Sequence, residues 1–67
     1  MEVKIDTEYI KLDSFLKATG MTSSGGEAKV LITEGNVLVN GEPELRRGRK
    51  LYRGDIVEAA GMSETVE

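Results

Sequence analysis

The stretch KLDSFLKATGMTSSGGEAKVLITEGNVLVNGE, residues 11–42, contains two helical patterns followed by a strand pattern, and most of the predicted core comes from it. In its first part, apolar and small side chains recur at i, i+3, i+4 and i+7: Leu12, Phe15, Leu16 and Thr19. This spacing predicts a helix of about two turns that begins at Leu12. Asp13 lies in the first turn, where the helix dipole favours an anion, and Gly20 can end the helix in a left-handed conformation.

A second helix is predicted directly after the first. Ser24 and Glu27 fit a capping box, in which the serine oxygen accepts a hydrogen bond from the Glu27 amide and the glutamate reaches back to the cap. The inward stripe contains three apolar residues: Ala28, Leu31 and Ile32. Gly35 ends the helix. Because only a short link, residues 20–24, separates the two helices, they are expected to form a helix-turn-helix pair.

A hairpin is predicted after the helical pair. Val37 and Val39 have the alternation of a strand, and the Asn-Gly dipeptide at 40–41 is the strongest short signal for a tight hairpin turn. Proline lacks an amide donor, so Pro43 is acceptable only at an edge or at a strand start. The returning strand is expected to begin near Glu44.

Further strands are predicted at both ends of the chain. Val3 and Ile5 alternate with charged residues, as in a short half-buried strand. A turn at Gly54-Asp55 leads into a final strand at residues 56–57. The last residues, GMSETVE at 61–67, are expected to be a frayed acidic tail.

Length and composition restrict the fold class and exclude several functions. A chain of 67 residues predicts one small domain, over residues 1–60. The predicted helices and strands make it an α+β domain, in which two helices pack on a small, mostly antiparallel sheet of about four strands. The chain contains no cysteine and no histidine, which removes disulfides, ordinary zinc sites and the commonest general base. We therefore expect no enzymatic activity, no metal and no cofactor. No apolar run approaches the roughly 20 residues of a membrane span, and the amino terminus lacks a secretion signal, so a cytoplasmic location is expected.

Positive charge is concentrated in one part of a chain whose net charge is −3. Residues 1–44 contain eight acids and four bases, whereas residues 45–54 contain no acid and five bases: Arg46, Arg47, Arg49, Lys50 and Arg53. Arginine and lysine bind phosphates, so this segment favours a polyanionic ligand. The alternative is a loop kept soluble by charge, although such loops usually mix both signs. Tyr9 and Tyr52 are candidates for stacking on exposed bases, although a tyrosine at the rim of a small core is the commoner outcome. Tyr52, between Lys50 and Arg53, is the better candidate.

The segment SSGGEAK, residues 23–29, is a second candidate anion site. At Ser24 the helix begins with free amide donors and a partial positive charge, while Gly25 and Gly26 leave room for a phosphate and Lys29 adds a full charge. The alternative is a well-capped helix whose glycines allow close packing on the first helix. The spacing does not match a nucleotide-binding P-loop, so ATP or GTP binding is not expected.

The order of these motifs resembles the RNA-binding domain named after ribosomal protein S-four, also called the αL motif. The resemblance covers residues 10–58 and includes a basic residue before Leu-Asp, a Phe-Leu pair, a glycine turn, a serine-led helix, Val-x-Val-Asn-Gly and a closing Gly-Asp-x-Val. The matching positions are Lys11-Leu12-Asp13, Phe15-Leu16, Gly20, Ser24, Ala28, Leu31-Ile32, Gly35, Val37, Val39-Asn40-Gly41, Gly54-Asp55 and Val57. The combination of GGEAK with RRGRKLYRGD is similar to a small stand-alone bacterial group, the YaaA/YbcJ-like proteins. The family commonly has arginine after the serine, where this chain has Gly25.

The resemblance implies a non-catalytic module that binds structured RNA, either ribosomal or transfer RNA, mainly through phosphates and in ribosome assembly or translation. A ribosomal particle is therefore an expected partner, and Lys11 and Lys29 would extend the surface formed by the basic segment. The leading alternative is a protein-interaction adaptor that uses the same basic loop or an exposed strand edge, either of the Val37–Val39 strand or of its neighbour. DNA binding and a small enzyme are weaker alternatives.

Overall fold

The computed structural model describes residues 4–67, which form two helices and six short strands. In chain order these are β1 (Ile10–Lys11), α1 (Leu12–Thr19), α2 (Gly25–Thr33), β2 (Leu38–Val39), β3 (Glu42–Pro43), β4 (Lys50–Leu51), β5 (Ile56–Ala59) and β6 (Met62–Thr65). Four strands make an antiparallel sheet in the order β3-β2-β5-β6, while β1 and β4 pair as a separate antiparallel ribbon. The predicted α+β class is confirmed.

Helix α1 has the predicted bounds, but the backbone rather than a side chain caps its start. Lys11 occupies the N-cap position and makes no side-chain cap hydrogen bond. The Leu12 amide instead donates to the carbonyl of Arg49 at 2.9 Å, and the Asp13 amide donates to the carbonyl of Arg47 at 3.1 Å. At the other end Gly20 adopts φ 81, the left-handed conformation that glycine accepts at no steric cost.

Helix α2 confirms half of the predicted capping box. The Ser24 hydroxyl accepts a hydrogen bond from the Glu27 amide at 3.2 Å, as expected. The Glu27 carboxylate, however, accepts from the amide of Ser23 at 3.3 Å and from its hydroxyl at 3.1 Å, rather than from Ser24. Ser23 donates from both its amide and its hydroxyl, one to each oxygen of the Glu27 carboxylate. The amide of Ser24 could supply only one such hydrogen bond. Gly35, with φ 78, follows the helix and its amide donates to the Ile32 carbonyl.

The core lies between the helical pair and the sheets. Its fully buried side chains come from both helices, from the four-stranded sheet, from the ribbon and from the carboxyl terminus: Leu12, Phe15, Leu16, Ala28, Ile32, Val37, Val39, Leu51, Val57 and Val66. Leu31, predicted to face inward, is half-buried and packs against this cluster. Thr19 is also buried, and its hydroxyl donates to the carbonyl of Phe15 at 3.0 Å. Helix α1 therefore contributes more buried side chains to the core than α2 does.

The predicted Asn-Gly hairpin joins β2 to β3. Asn40 and Gly41 both have positive φ, 53 and 85, as a tight type I′ turn requires. The returning strand begins at Glu42, two residues earlier than predicted, and Pro43 lies on the edge strand β3, where its missing amide is harmless. Strand β2 lies between β3 and β5 and has no free edge, whereas its neighbour β3 is an edge strand. Of the two strands considered for edge-to-edge pairing, only the neighbour is therefore open to a partner.

Residues 61–67 do not form the frayed tail that the sequence predicts. Met62–Thr65 pair with β5 as an edge strand, and Val66 is only 1% exposed, with its amide donating to the Asp55 carbonyl at 2.9 Å. The turn into β6 depends on Ala60 at φ 53, a conformation that alanine rarely adopts and that no sequence signal marks. The short, polar strand after this turn also lacks an apolar run.

The predicted amino-terminal strand is not found in the part of the chain that the structure describes. Val3 lies outside that part. Ile5 is buried, and its amide donates to the carbonyl of Glu67 at 2.8 Å, but it belongs to no strand. The backbone of Ile5 therefore contacts the carboxyl terminus directly through this hydrogen bond.

Candidate nucleic-acid interface

The basic loop, defined here as residues 46–53, is fixed across the start of α1. Its carbonyls at Arg47 and Arg49 accept the first two amides of the helix, Leu12 and Asp13. The loop then enters β4, which pairs with β1 immediately before that helix. The amides of Leu12 and Asp13, which a helix start usually leaves free for an anion, are thus already bonded. An anion near the start of α1 would therefore be held by the side chains of the basic loop.

A buried carboxylate organises the first half of the basic loop. Glu44 is 7% exposed, and its oxygens lie 3.0 Å from Arg46 Nε and 2.8 Å from Arg49 Nη1. It also accepts the backbone amide of Arg46 at 3.0 Å. The hydrogen bond from the Arg46 side chain, assisted by Arg49, lowers the pKa of Glu44 from 4.5 to about 2 although burial opposes the shift. From the sequence, Glu44 is predicted only as the start of a strand, and this role is not predicted.

Two of the five predicted cations therefore have a structural role. Arg46 is bonded to Glu44 by two side-chain nitrogens, while its own side chain remains 77% exposed. Arg49 is only half-buried and donates one hydrogen bond to the same carboxylate. An open cleft of about 480 Å³ lies beside them, lined by Arg46, Gly48, Arg49 and Lys50. The ion pairs hold the loop in the shape that forms this cleft.

Arg53 also has a contact within the fold. Its Nη2 donates to the carbonyl of Ile5 at 2.5 Å, which ties the amino-terminal segment to the end of the basic loop. The following turn is braced by Asp55, whose carboxylate accepts from the Tyr52 amide at 2.9 Å and from the Asn40 side chain at 3.1 Å. Gly54, at φ 99, has the backbone conformation that this turn requires.

The ribbon of β1 and β4 brings two lysines and two tyrosines together on one face. Lys11 is paired with Lys50 across the ribbon. One step beyond this paired segment, the rings of Tyr9 and Tyr52 lie 6.3 Å apart with 52° between their planes. Lys50 Nζ lies 4.8 Å from the centroid of the Tyr9 ring, a cation–π contact. We call these four residues the ribbon face. It could not be predicted from the sequence, because the pairing joins segments about 40 residues apart.

The start of α2 is the second predicted site, and its glycines are exposed. A Cβ atom on Gly25 would meet nothing within 4 Å, and one on Gly26 would meet only Ser24 Oγ at 3.9 Å. Close packing on α1 therefore does not require these glycines. Lys29 is exposed one turn further along the helix. The described contacts do not join this site to the ribbon face, so the two remain separate candidates.

Three of the predicted cations have side chains without a partner among residues 4–67: Lys11, Lys29 and Arg47. All three are exposed. Within the same residues, no three carboxylates lie close enough to hold a metal ion. None of the helices found there is long and apolar enough to cross a membrane.

A pair of short helices on a small antiparallel sheet, with a cation-rich loop fixed across one helix start, defines a small α+β domain with a basic surface segment. Residues 3–67 match the family described as the S4 domain. The chain belongs to this family, which confirms the resemblance seen in the sequence and agrees with the expectation of a non-catalytic protein.

Two curated bacterial relatives cover most of the chain. One, from Bacillus subtilis (strain 168), is 56% identical over 59 residues, which is 88% of this chain and 83% of the relative, and is named "Probable ribosome maturation protein RlbA". The other, from Escherichia coli (strain K12), is 40% identical over 58 residues, which is 87% of this chain and 83% of the relative, and is named "Putative RNA-binding protein YbcJ".

Proposed function

We propose that this protein is a non-catalytic module that binds structured RNA, ribosomal or transfer RNA, chiefly through phosphates, and that it acts in ribosome assembly or translation. The observation that carries the proposal is the cross-strand pair of Lys11 and Lys50, together with the side chain of Arg47, which has no partner among residues 4–67. Membership of the S4 domain family supports it, as do the names of the two relatives, one for ribosome maturation and one for RNA binding.

The lysine pair supports an anionic ligand because like charges directly opposite on a ribbon repel each other. Lys50 is partly compensated by the ring of Tyr9, but Lys11 has no such contact within residues 4–67. A phosphate between the two ammonium groups would remove the repulsion and add two charge-assisted hydrogen bonds. Two cations placed opposite each other destabilise a ribbon this short. A binding role therefore explains the two lysines better than a folding role.

The number of available cations sets the expected strength of the electrostatic contribution. Arg46, Arg49 and Arg53 already bond to groups of the protein, which leaves Lys11, Lys29, Arg47 and Lys50 as the main phosphate contacts. About four neutralised phosphates predict a slope of roughly −3 in log affinity against log salt concentration, at 0.7 to 0.9 per phosphate. Few aromatic residues are present, so backbone shape and phosphate spacing should matter more than sequence.

The experiment is a salt titration of binding to purified ribosomal RNA and transfer RNA. The wild type should show the steep slope, and the double variant Lys11→Gln/Lys50→Gln should lose about 1.5 from it. Lys17→Gln is the matched control, since Lys17 is an exposed lysine of the last turn of α1 and outside the ribbon. A salt-independent affinity, or an equal effect of the control, would overturn the proposal.

Crosslinking in cells, followed by sequencing of the attached RNA, would then separate the two RNA classes. Co-sedimentation with precursor ribosomal particles is expected if the protein acts in assembly. Retention of a protein partner in the presence of excess structured RNA would instead favour an adaptor that docks through the same basic loop.

A further inference from the structure

The ribbon face combines two aromatic rings, 6.3 Å apart, with two cations, one of which lies 4.8 Å from the Tyr9 ring. Leu51 is fully buried, so strand alternation turns its neighbours Lys50 and Tyr52 outward. On the other strand, Lys11 of β1 lies opposite Lys50, and Tyr9, which precedes β1, lies next to Tyr52. Two rings and two ammonium groups thus share one side of the ribbon, while the other side contributes to the core.

The Tyr52 ring is open to a ligand. The side chain is 46% exposed although it is one of only three aromatic residues in the chain. The 52° angle between its ring and that of Tyr9 means that the two rings do not cover each other face to face. Neither phenol hydroxyl has a hydrogen-bond partner within residues 4–67. A buried rim tyrosine would normally have its ring covered and its hydroxyl bonded.

We infer that the ribbon face is a stacking subsite for one unpaired base of RNA. The base lies on the ring of Tyr52, and Lys11 and Lys50 contact the phosphates next to it. The inference rests on the proposed function and narrows it, because the ligand must then carry an unpaired nucleotide beside its helical part. Bases in a continuous duplex have both faces covered by their neighbours, whereas an unpaired base offers a free face to an aromatic side chain.

Two RNA hairpins with the same number of phosphates test this inference, both closed by a non-nucleotide linker so that the loop offers no unpaired base. One is blunt, and the other has a shorter stem and a single-stranded extension with 2-aminopurine as its first unpaired base. Wild-type protein should bind the extended hairpin more tightly and quench its 2-aminopurine fluorescence, since stacking on an aromatic ring quenches that emission. The quench needs no variant, so it does not depend on how any substitution affects folding.

Variants of Tyr52 assign the effect to the ring. Tyr52→Leu should weaken binding of the extended hairpin about 5- to 150-fold, the range for loss of one base stack, and should weaken the blunt hairpin much less. Tyr52→Phe keeps the ring and should retain the preference and the quench. Met62→Ala is the control, because Met62 is an apolar residue of similar exposure on β6, away from the ribbon. Thermal unfolding of each variant confirms that it is folded.

The outcomes separate this inference from the proposed function. Equal affinity for both hairpins with a steep salt dependence, or no quench in the wild type, would overturn the stacking subsite and leave phosphate binding in place. A Tyr52→Leu variant that keeps the preference would overturn it too. Failure to bind either hairpin, or a flat salt response, would instead contradict RNA binding itself.

Discussion

The Oε1 atom of Glu44 lies 2.8 Å from the Nη1 atom of Arg49, and this ion pair joins the end of the four-stranded sheet to the loop that caps α1. The carboxylate is almost fully buried, and its other oxygen bonds Arg46. The most basic segment of the chain is therefore held in place by an acidic side chain. The two arginines that bond Glu44 thus differ from Lys11, Lys29 and Arg47 by having an acidic partner and not simply by burial, since Arg46 remains 77% exposed.

Removing this carboxylate charge should destabilise the protein. Glu44→Gln keeps the shape of the side chain but loses charge-assisted hydrogen bonds, so the free energy of unfolding should fall by about 1 to 3 kcal/mol. Urea denaturation measures the change. Glu42→Gln is the matched control on the exposed edge strand β3 and should shift the value by less than about 0.5 kcal/mol. Equal effects of the two substitutions would show that the burial of Glu44 is unimportant.

The same carboxylate predicts how stability depends on pH. Its pKa is lowered from 4.5 to about 2 in the folded protein, so the unfolded state binds the proton more readily. The stabilisation is then fully present above pH 4.5 and is lost as the pH falls towards 2. The midpoint of thermal unfolding should therefore fall across this range, and Glu44→Gln should make the fall less steep. An unchanged pH profile in the variant would contradict the assignment.

Local pattern predicted the helices well because their signals lie within a few residues of each other. Leu12 to Thr19 have the apolar spacing of α1, and Ser24 marks the start of α2. The ribbon face could not be predicted in the same way, since the pairing of Lys11 with Lys50 depends on a register between distant segments. The structural roles of Arg46 and Arg49 were hidden because charge counting treats all cations of a segment alike.

Arg47 and Arg53 should behave differently although both belong to the basic loop. Arg47→Gln removes a side chain that has no partner in the described part of the chain, so it should reduce the salt slope of RNA binding by about 0.7 to 0.9. Its effect on the free energy of unfolding should stay within about 0.5 kcal/mol. Arg53→Gln loses the hydrogen bond to the Ile5 carbonyl and should cost about 1 kcal/mol of stability. The reverse pattern in the two measurements would contradict the proposed division of the basic loop.

The carboxyl-terminal strand should contribute measurably to stability. Val66 is 1% exposed and packs in the core, so Val66→Ala should lower the free energy of unfolding by about 1 to 3 kcal/mol through lost burial and the cavity left behind. Val30→Ala is the matched control, because Val30 is 52% exposed on α2 and its truncation should change stability by less than about 0.5 kcal/mol. Removal of residues 62–67 should have a larger effect than Val66→Ala, since it also deletes the hydrogen bonds of β6 to β5. If urea denaturation shows no loss after that truncation, the carboxyl-terminal segment does not belong to the cooperative fold.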